Sequence, residues 1–156
     1  MANVLGIIPA RGGSKGIPNK NLRATLRPAA PRLHRRRGQR SARLTRTVVS
    51  TDDPRIAECA TSLGLEVPFM RPSSLSGDEV PMLPVLQHAV EALEAEGFNA
   101  DIVVLLQPTS PLRRGEHIDA AVTWLAASRW RFRRVRGRSA ASVQPDVAIC
   151  ASKMDC

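Results

Sequence analysis

The sequence has few aromatic residues and no long apolar run. Aromatic residues make up 3% of the chain, and tyrosine is absent, so few side chains could stack on nucleic-acid bases. No apolar run approaches the roughly 18 residues that span a bilayer. Pro9 and Arg11 also interrupt the first apolar stretch, where a signal segment would continue. We therefore expect a cytoplasmic protein that has neither a membrane nor a specific nucleic-acid partner.

Cysteine is scarce as well. The three cysteines are Cys59, Cys150 and Cys156; they are odd in number, and none of them forms a CxxC pair. A structural zinc site needs closely spaced ligands, and a disulfide framework needs an even set of cysteines. The sequence therefore predicts neither kind of site, and we expect ordinary thiols.

The formal net charge is +9, but it is unevenly distributed. Residues 24–43 contain seven arginines and no acidic residue, and residues 129–156 contain seven basic residues against Asp146 and Asp155. The remaining residues have a slight acidic excess. A strongly basic chain often binds nucleic acid, but here the basicity belongs to two segments and not to the whole domain. Non-specific binding of polyanions by these segments is the alternative that the charge leaves open.

The apolar pattern predicts an α/β domain. Apolar runs of strand length alternate with segments of helical spacing, and glycine or proline separates them. The pattern predicts strands at 4–8, 47–50 and 101–106, helices at 54–63, 81–96 and 116–125, and an extended piece at 66–69. Because strands and helices alternate, we expect a three-layer, mostly parallel sheet with helices on both faces.

The loop after the first predicted strand carries the residues of an anion site. Residues 9–21 include three glycines, which let backbone N–H groups approach a ligand, and three cations. Ligands of open parallel sheets bind beyond the carboxyl ends of the strands, where this loop lies. The order of residues fits neither the Walker motif nor GxGxxG. From the loop alone, a flexible surface segment is an equal alternative.

Four longer strings give this loop a context. IIPARGGSKGIPNKN, VVSTDDPRIAECA, VPFMRPSSLSGDEVP and DIVVLLQPTSPLR follow one another between residues 7 and 113. Over residues 2–23 and 44–127 the chain resembles the cytidylyltransferases that activate sialic acid and related bacterial nine-carbon sugar acids. The resemblance implies a Rossmann-like nucleotidyltransferase fold and the transfer of CMP from CTP to such a sugar, with release of pyrophosphate. The related family that activates an eight-carbon sugar acid lacks the GGSKGIP string.

The resemblance also implies roles for individual residues. The catalytic cations, which hold the triphosphate, are Arg11, Lys15 and Lys20. Gln107 matches a position that reads the sugar acid. Further nucleotide contacts are implied for Pro9, Ala10, Gly12, Gly13, Ser14, Asn21 and Arg71. We expect Asp52 and Asp53 to organise the loop and to cap a helix, with Pro54 at its first position; direct contact with the ligand is the alternative.

The resemblance implies a magnesium cofactor and a homodimer, but we find no metal-binding carboxylate pair in this chain. Residues 1–127 match a partial domain, in which 24–43 is an arginine-rich insert in place of a turn and a helix, and 128–156 is an anomalous basic tail. The fold is therefore expected to be incomplete. An inactive fragment that retains at most nucleotide binding remains an alternative function.

We predict that two frameshifts in the gene explain the anomalous segments: a compensated one at 24–43 and an uncompensated one near 128–130. Arginine, alanine, proline and glycine dominate out-of-frame reads of GC-rich genes, and both segments are rich in arginine. Shifting the frame by one nucleotide should restore a glycine-proline turn and a helix start after residue 23, and a strand after residue 130. Sequencing the coding DNA around codons 23–45 and 125–156 tests this prediction. If no such shift restores these strings, the segments belong to the protein as evolved.

Overall fold

The computed structural model describes residues 2–12, 41–107 and 115–127, together with the backbone of 141–144 and 147–151. Within these residues the strands are β1 (Val4–Pro9), β2 (Arg46–Ser50), β3 (Ile102–Leu105), β4 (Ala141–Gln144) and β5 (Val147–Ala151). The helices are α1 (Pro54–Ser62), α2 (Met82–Ala95) and α3 (Gly115–Ala127), with a short 3-10 turn at Ser73–Leu75. The elements predicted between residues 4 and 125 are thus confirmed in kind and in order.

The strands form one sheet in the order β2-β1-β3-β5-β4. β1 pairs in parallel with β2 on one side and with β3 on the other, so the predicted parallel arrangement is confirmed for these three strands. β5 pairs antiparallel with β3, and β4 with β5. The sequence pattern predicts no strands in this basic tail. The run VAICA of β5 nevertheless has the apolar character of a strand.

Helices cover both faces of the sheet, as predicted. Consecutive residues of β1 belong to different cores, with Ile8 on one face and Ile7 on the other. Ile8 lies in a cluster with Ile56 of α1 and Ile118 of α3, whereas Ile7 lies in a cluster with residues of α2. This burial on both faces explains why the strands read as continuous apolar runs. Each large apolar side chain that is buried in this way contributes about 1.5–3 kcal/mol.

The extended segment after α1 runs along the outer edge of β2. The Val49 backbone N–H donates to the Glu66 carbonyl oxygen at 2.8 Å, and the Arg71 N–H donates to the Thr51 carbonyl oxygen at 2.8 Å. The prediction of an extended piece at 66–69 is therefore confirmed. Its pairing with β2 brings Arg71 to the carboxyl end of that strand.

A glycine ends each of the first two helices. Gly64 follows α1 with φ of +77°, and Gly97 follows α2 with φ of +87°. After α2, the Gly97 N–H donates to the Glu94 carbonyl oxygen and the Phe98 N–H to the Leu93 carbonyl oxygen, both at 2.9 Å. These are the two hydrogen bonds of a Schellman motif, which needs a left-handed residue at this position.

In the described ranges, no helix is long and apolar enough to cross a bilayer.

We predict that Gly97→Ala lowers the free energy of unfolding by about 1 kcal/mol, because an L side chain is strained at positive φ. A Cβ at this site would meet nothing within 4 Å, so any loss reports backbone strain alone. Gly97→Asn is the matched control, because asparagine tolerates the left-handed region and should lose less. Urea denaturation of the three proteins measures the difference. Equal losses in both variants would contradict the strain argument.

Candidate functional site

The carboxyl ends of the three parallel strands meet at one edge of the sheet. β1 ends at Pro9 and continues into Ala10, Arg11 and Gly12, and β2 continues into residues 51–53. Gln107 follows β3 at the same edge and is exposed, whereas Ala10 is buried. This is the edge at which open parallel sheets bind their ligands. The fold thus brings together six of the predicted site residues, namely Pro9, Ala10, Arg11, Gly12, Arg71 and Gln107.

Five predicted site residues lie outside the described residues. They are Gly13, Ser14, Lys15, Lys20 and Asn21. Their roles stay predictions from the resemblance.

Backbone and carboxylate contacts join the loops that follow β1 and β2. The Ala10 N–H donates to the Ser50 carbonyl oxygen at 2.9 Å. The Gly12 N–H donates to Oδ1 of Asp52 at 3.1 Å. Asp52 therefore organises the loop after β1, as predicted. This N–H is satisfied within the protein, so it is not directed at a ligand in this arrangement.

Asp53 caps α1. Its Oδ1 accepts a hydrogen bond from the Arg55 N–H at 2.9 Å, and Pro54 occupies the first turn, so the predicted cap is confirmed. The Arg55 guanidinium also donates to both carboxylate oxygens, at 3.2 and 2.8 Å. This side-chain hydrogen bonding is the main reason that the pKa of Asp53 lies below its usual value, although partial burial opposes the shift.

The packing of Asp53 also explains the glycine at position 12. A Cβ built on Gly12 would lie 2.7 Å from Oδ2 and 2.8 Å from Cβ of Asp53. Cβ of Asp53 cannot rotate away, because it is fixed to the backbone of the capping residue. A side chain at position 12 would therefore displace either the loop or the cap. The absence of a side chain here serves close packing of the two loops.

Arg71 lies buried beneath this edge, with 7% of its surface exposed. Its Nε donates to Oγ of Ser50 at 3.1 Å, and Nη2 donates to the Ser50 carbonyl oxygen. Burial lowers the pKa of Arg71; the negative charge of Asp52 opposes this shift, and the positive charge of Arg11 adds to it. In the described ranges no carboxylate forms an ion pair with Arg71.

Arg11 forms an ion pair with Asp78, through Nη1 and Oδ1. Each of the two side chains is 33% exposed. Asp78 lies in the segment between the 3-10 turn and α2, so this contact joins the loop after β1 to a distant part of the chain. Neither the sequence pattern nor the resemblance implied a role for Asp78. The available signal was its place in the string VPFMRPSSLSGDEVP, although a string alone does not show which residue it contacts.

The carboxylates at this edge do not form a metal centre. Asp52 accepts from a backbone N–H, Asp53 binds Arg55, and Asp78 binds Arg11. In the part of the chain that the structure describes, no group of three or more histidine, cysteine, aspartate or glutamate residues could hold a metal ion. Each of these carboxylates is therefore already bound to a partner within the protein. Magnesium stays a prediction from the resemblance.

Comparisons with known proteins give this geometry a context. A family model described as cytidylyltransferase matches residues 5–148. The CMP-N,N'-diacetyllegionaminic acid synthase of Legionella pneumophila subsp. pneumophila is 34% identical over 144 residues, covering 91% of this chain and 58% of that protein. The pseudaminic acid cytidylyltransferase of Campylobacter jejuni subsp. jejuni serotype O:2 is 38% identical over 108 residues, covering 69% and 47% respectively. The chain thus spans about half the length of the curated relatives it matches.

A solved structure supports the fold. CMP:2-keto-3-deoxy-manno-octonic acid synthetase complexed with CTP superposes with a TM-score of 0.64 at 22% sequence identity. The match covers 80% of this chain and 48% of that one. At this identity the likeness shows the fold alone. It confirms the predicted Rossmann-like nucleotidyltransferase fold.

We predict that Asp53→Asn flattens the acid side of the stability profile. The folded-state pKa of Asp53 is lowered, so its stabilisation is present above the unfolded pKa, about 4, and is lost as pH falls through the folded pKa. The variant keeps the cap but should lose a few tenths to about 1 kcal/mol at pH 7. Urea denaturation between pH 2.5 and 7 should therefore show the two proteins converging at low pH. The control is Glu58→Gln, which removes an exposed carboxylate from the same helix; the same convergence there would contradict the assignment.

Proposed function

We propose that this chain, which belongs to the cytidylyltransferase family, binds CTP at the carboxyl ends of β1 and β2. This membership confirms the family that the four motifs indicated. The proposed reaction is attack by a hydroxyl of a sugar acid on the α-phosphate of CTP. A bond forms between the sugar oxygen and this phosphorus, the bond to the β-phosphate oxygen breaks, and pyrophosphate leaves.

The observation that carries this proposal is the pair of arginines at the edge of the sheet. Arg71 is buried, and no carboxylate in the described ranges forms an ion pair with it. A buried cation without an ion-pair partner is costly; the negative charge of Asp52 offsets part of this cost, and the positive charge of Arg11 adds to it. A phosphate group placed between the two guanidinium groups would offset both effects. This arrangement supports binding of a polyphosphate.

The proposed mechanism assigns distinct tasks to the residues present. Ser50 fixes the Arg71 guanidinium through two hydrogen bonds, so its orientation exists before the ligand arrives. Arg11 stabilises the negative charge that develops on the departing pyrophosphate. We propose the same task for Lys15 and Lys20, and contact with the sugar acid for Gln107. Magnesium would screen the negative charge of the triphosphate. This role for magnesium rests on the resemblance alone.

For the acceptor we propose an acidic nine-carbon sugar. The two relatives are named for diacetyllegionaminic acid and pseudaminic acid. The GGSKGIP string of residues 12–18 also favours this group over the enzymes of the eight-carbon acid. The solved synthetase is named for 2-keto-3-deoxy-manno-octonic acid, which makes an eight-carbon acceptor the second candidate. A cytoplasmic location and a homodimer are further parts of the proposal.

A second candidate function is nucleotide binding without turnover. The described residues include an arginine pair for phosphate but no group of three or more histidine, cysteine, aspartate or glutamate residues that could hold a metal ion. The arginine-rich segments at 24–43 and 128–156 also replace parts that the resemblance implies. Two assays separate the candidates: a CTP titration detects the site, and pyrophosphate release with CTP, magnesium and a sugar acid detects the transfer.

We predict that Arg11→Ala weakens CTP binding by about tenfold or more, because it removes a charged hydrogen bond to phosphate worth about 1.5–3 kcal/mol. Isothermal titration measures the change. Arg46→Ala is the matched control. Arg46 is also held in ion pairs, with Glu66 and Glu96, but it begins β2 at the opposite end of the sheet. Equal CTP affinity in both variants would remove Arg11 from the site.

A further inference from the structure

The ion pair between Arg11 and Asp78 occupies the cation that the proposed function assigns to phosphate. Arg11 can direct Nη1 either to the Asp78 carboxylate or to a ligand in the same direction, but not fully to both. In the described ranges Asp78 is the one carboxylate that forms an ion pair with either arginine of the site. An incoming anion therefore meets a carboxylate already bound to Arg11.

The backbone of the loop that carries Asp78 is held in a way that leaves the Asp78 carboxylate able to move away from Arg11. Its ends are fixed, since the Arg71 N–H binds the Thr51 carbonyl oxygen at 2.8 Å and α2 begins at Met82. Between these ends the backbone hydrogen bonds that the structure describes are local. The Ser76 N–H binds the Ser73 carbonyl oxygen at 3.1 Å, and the Val80 N–H binds the Gly77 carbonyl oxygen at 3.4 Å. Rotation of the partly exposed Asp78 side chain would break none of these bonds.

The strength of the ion pair suits an exchange. Both partners are 33% exposed, and ion pairs at such sites contribute little to stability. A phosphate that accepts charge-assisted hydrogen bonds from Arg11 contributes more. Phosphate therefore wins the competition, but it binds more weakly than it would without Asp78. After transfer, the same carboxylate can return to Arg11 as pyrophosphate leaves.

We propose that Asp78 is a competing internal anion, which occupies Arg11 in the nucleotide-free protein and is exchanged for a phosphate of CTP. This inference rests on the proposed function. It adds a residue that lowers affinity for the triphosphate and favours release of pyrophosphate. It also explains why an acidic residue lies against a site whose ligand is an anion.

The test is titration with CTP, and with cytidine as a probe without phosphate. Asp78→Asn removes the charge and is expected to tighten CTP binding about threefold to fivefold, with no change for cytidine. Glu79→Gln is the matched control, because it removes a charge from the adjacent, exposed position of the same loop. The control is expected to change CTP affinity little. A thermal unfolding scan of each variant shows that the fold is retained.

A double-mutant cycle makes the test specific to Arg11. In an Arg11→Ala background, Asp78→Asn is expected to have a much smaller effect on CTP affinity, because the two anions no longer share this cation. Persistence of the full effect in that background, or an equal effect of Glu79→Gln, would overturn the inference in favour of general electrostatics. Weaker CTP binding by Asp78→Asn would also overturn it, because Asp78 would then position Arg11. If the original protein binds no CTP, the proposed function fails first, and the inference with it.

Discussion

Ser50, the last residue of β2, joins the three segments that build the site. Its carbonyl oxygen accepts a hydrogen bond from the Ala10 N–H and another from Nη2 of Arg71, and its hydroxyl accepts from Nε of Arg71. The residue is fully buried, so no water could replace these partners cheaply. The loop after β1 and the buried guanidinium are thus held by one backbone position. If this position shifted, both would move.

Around Ser50 the charges are arranged in two layers. The inner layer consists of Asp52 and Asp53, which act as structural acceptors for the loop and for α1. The outer layer consists of Arg11 and Asp78, which form an ion pair and are partly exposed. Arg71 lies beneath this edge and is buried. Asp52 and Asp53 are already hydrogen-bonded within the protein, and in the described ranges neither forms an ion pair with Arg11 or Arg71.

The same edge connects stability to function. Capping by Asp53 fixes the start of α1, and the closeness of Asp53 to Gly12 fixes the path of the loop after β1. A substitution that loosens the cap would therefore also release the loop that carries Arg11. This coupling follows from shared contacts and needs no long-range pathway. The CTP affinities of site variants should accordingly be compared between proteins whose free energies of unfolding are similar.

The amino-acid sequence by itself determined the elements and the edge at which the site lies. Apolar runs such as 4–8 and 101–106 specify strands buried on both faces, and Gly97 specifies a helix end, because these signals are local. The motifs also singled out Arg11 and Arg71 as site residues. Asp53 could be predicted as a cap because the sequence Asp-Pro at a helix start is likewise local.

Only the tertiary structure decided which residues meet. That Arg71 binds Ser50, and that Asp78 binds Arg11 across 67 positions of the chain, depends on how the segments after β2 fold back along the sheet. The antiparallel strands β4 and β5 were likewise unpredicted, because short apolar runs in a basic segment become strands only when a neighbouring edge accepts their hydrogen bonds. Long-range pairing reflects the packing of the whole domain, and no local pattern encodes it.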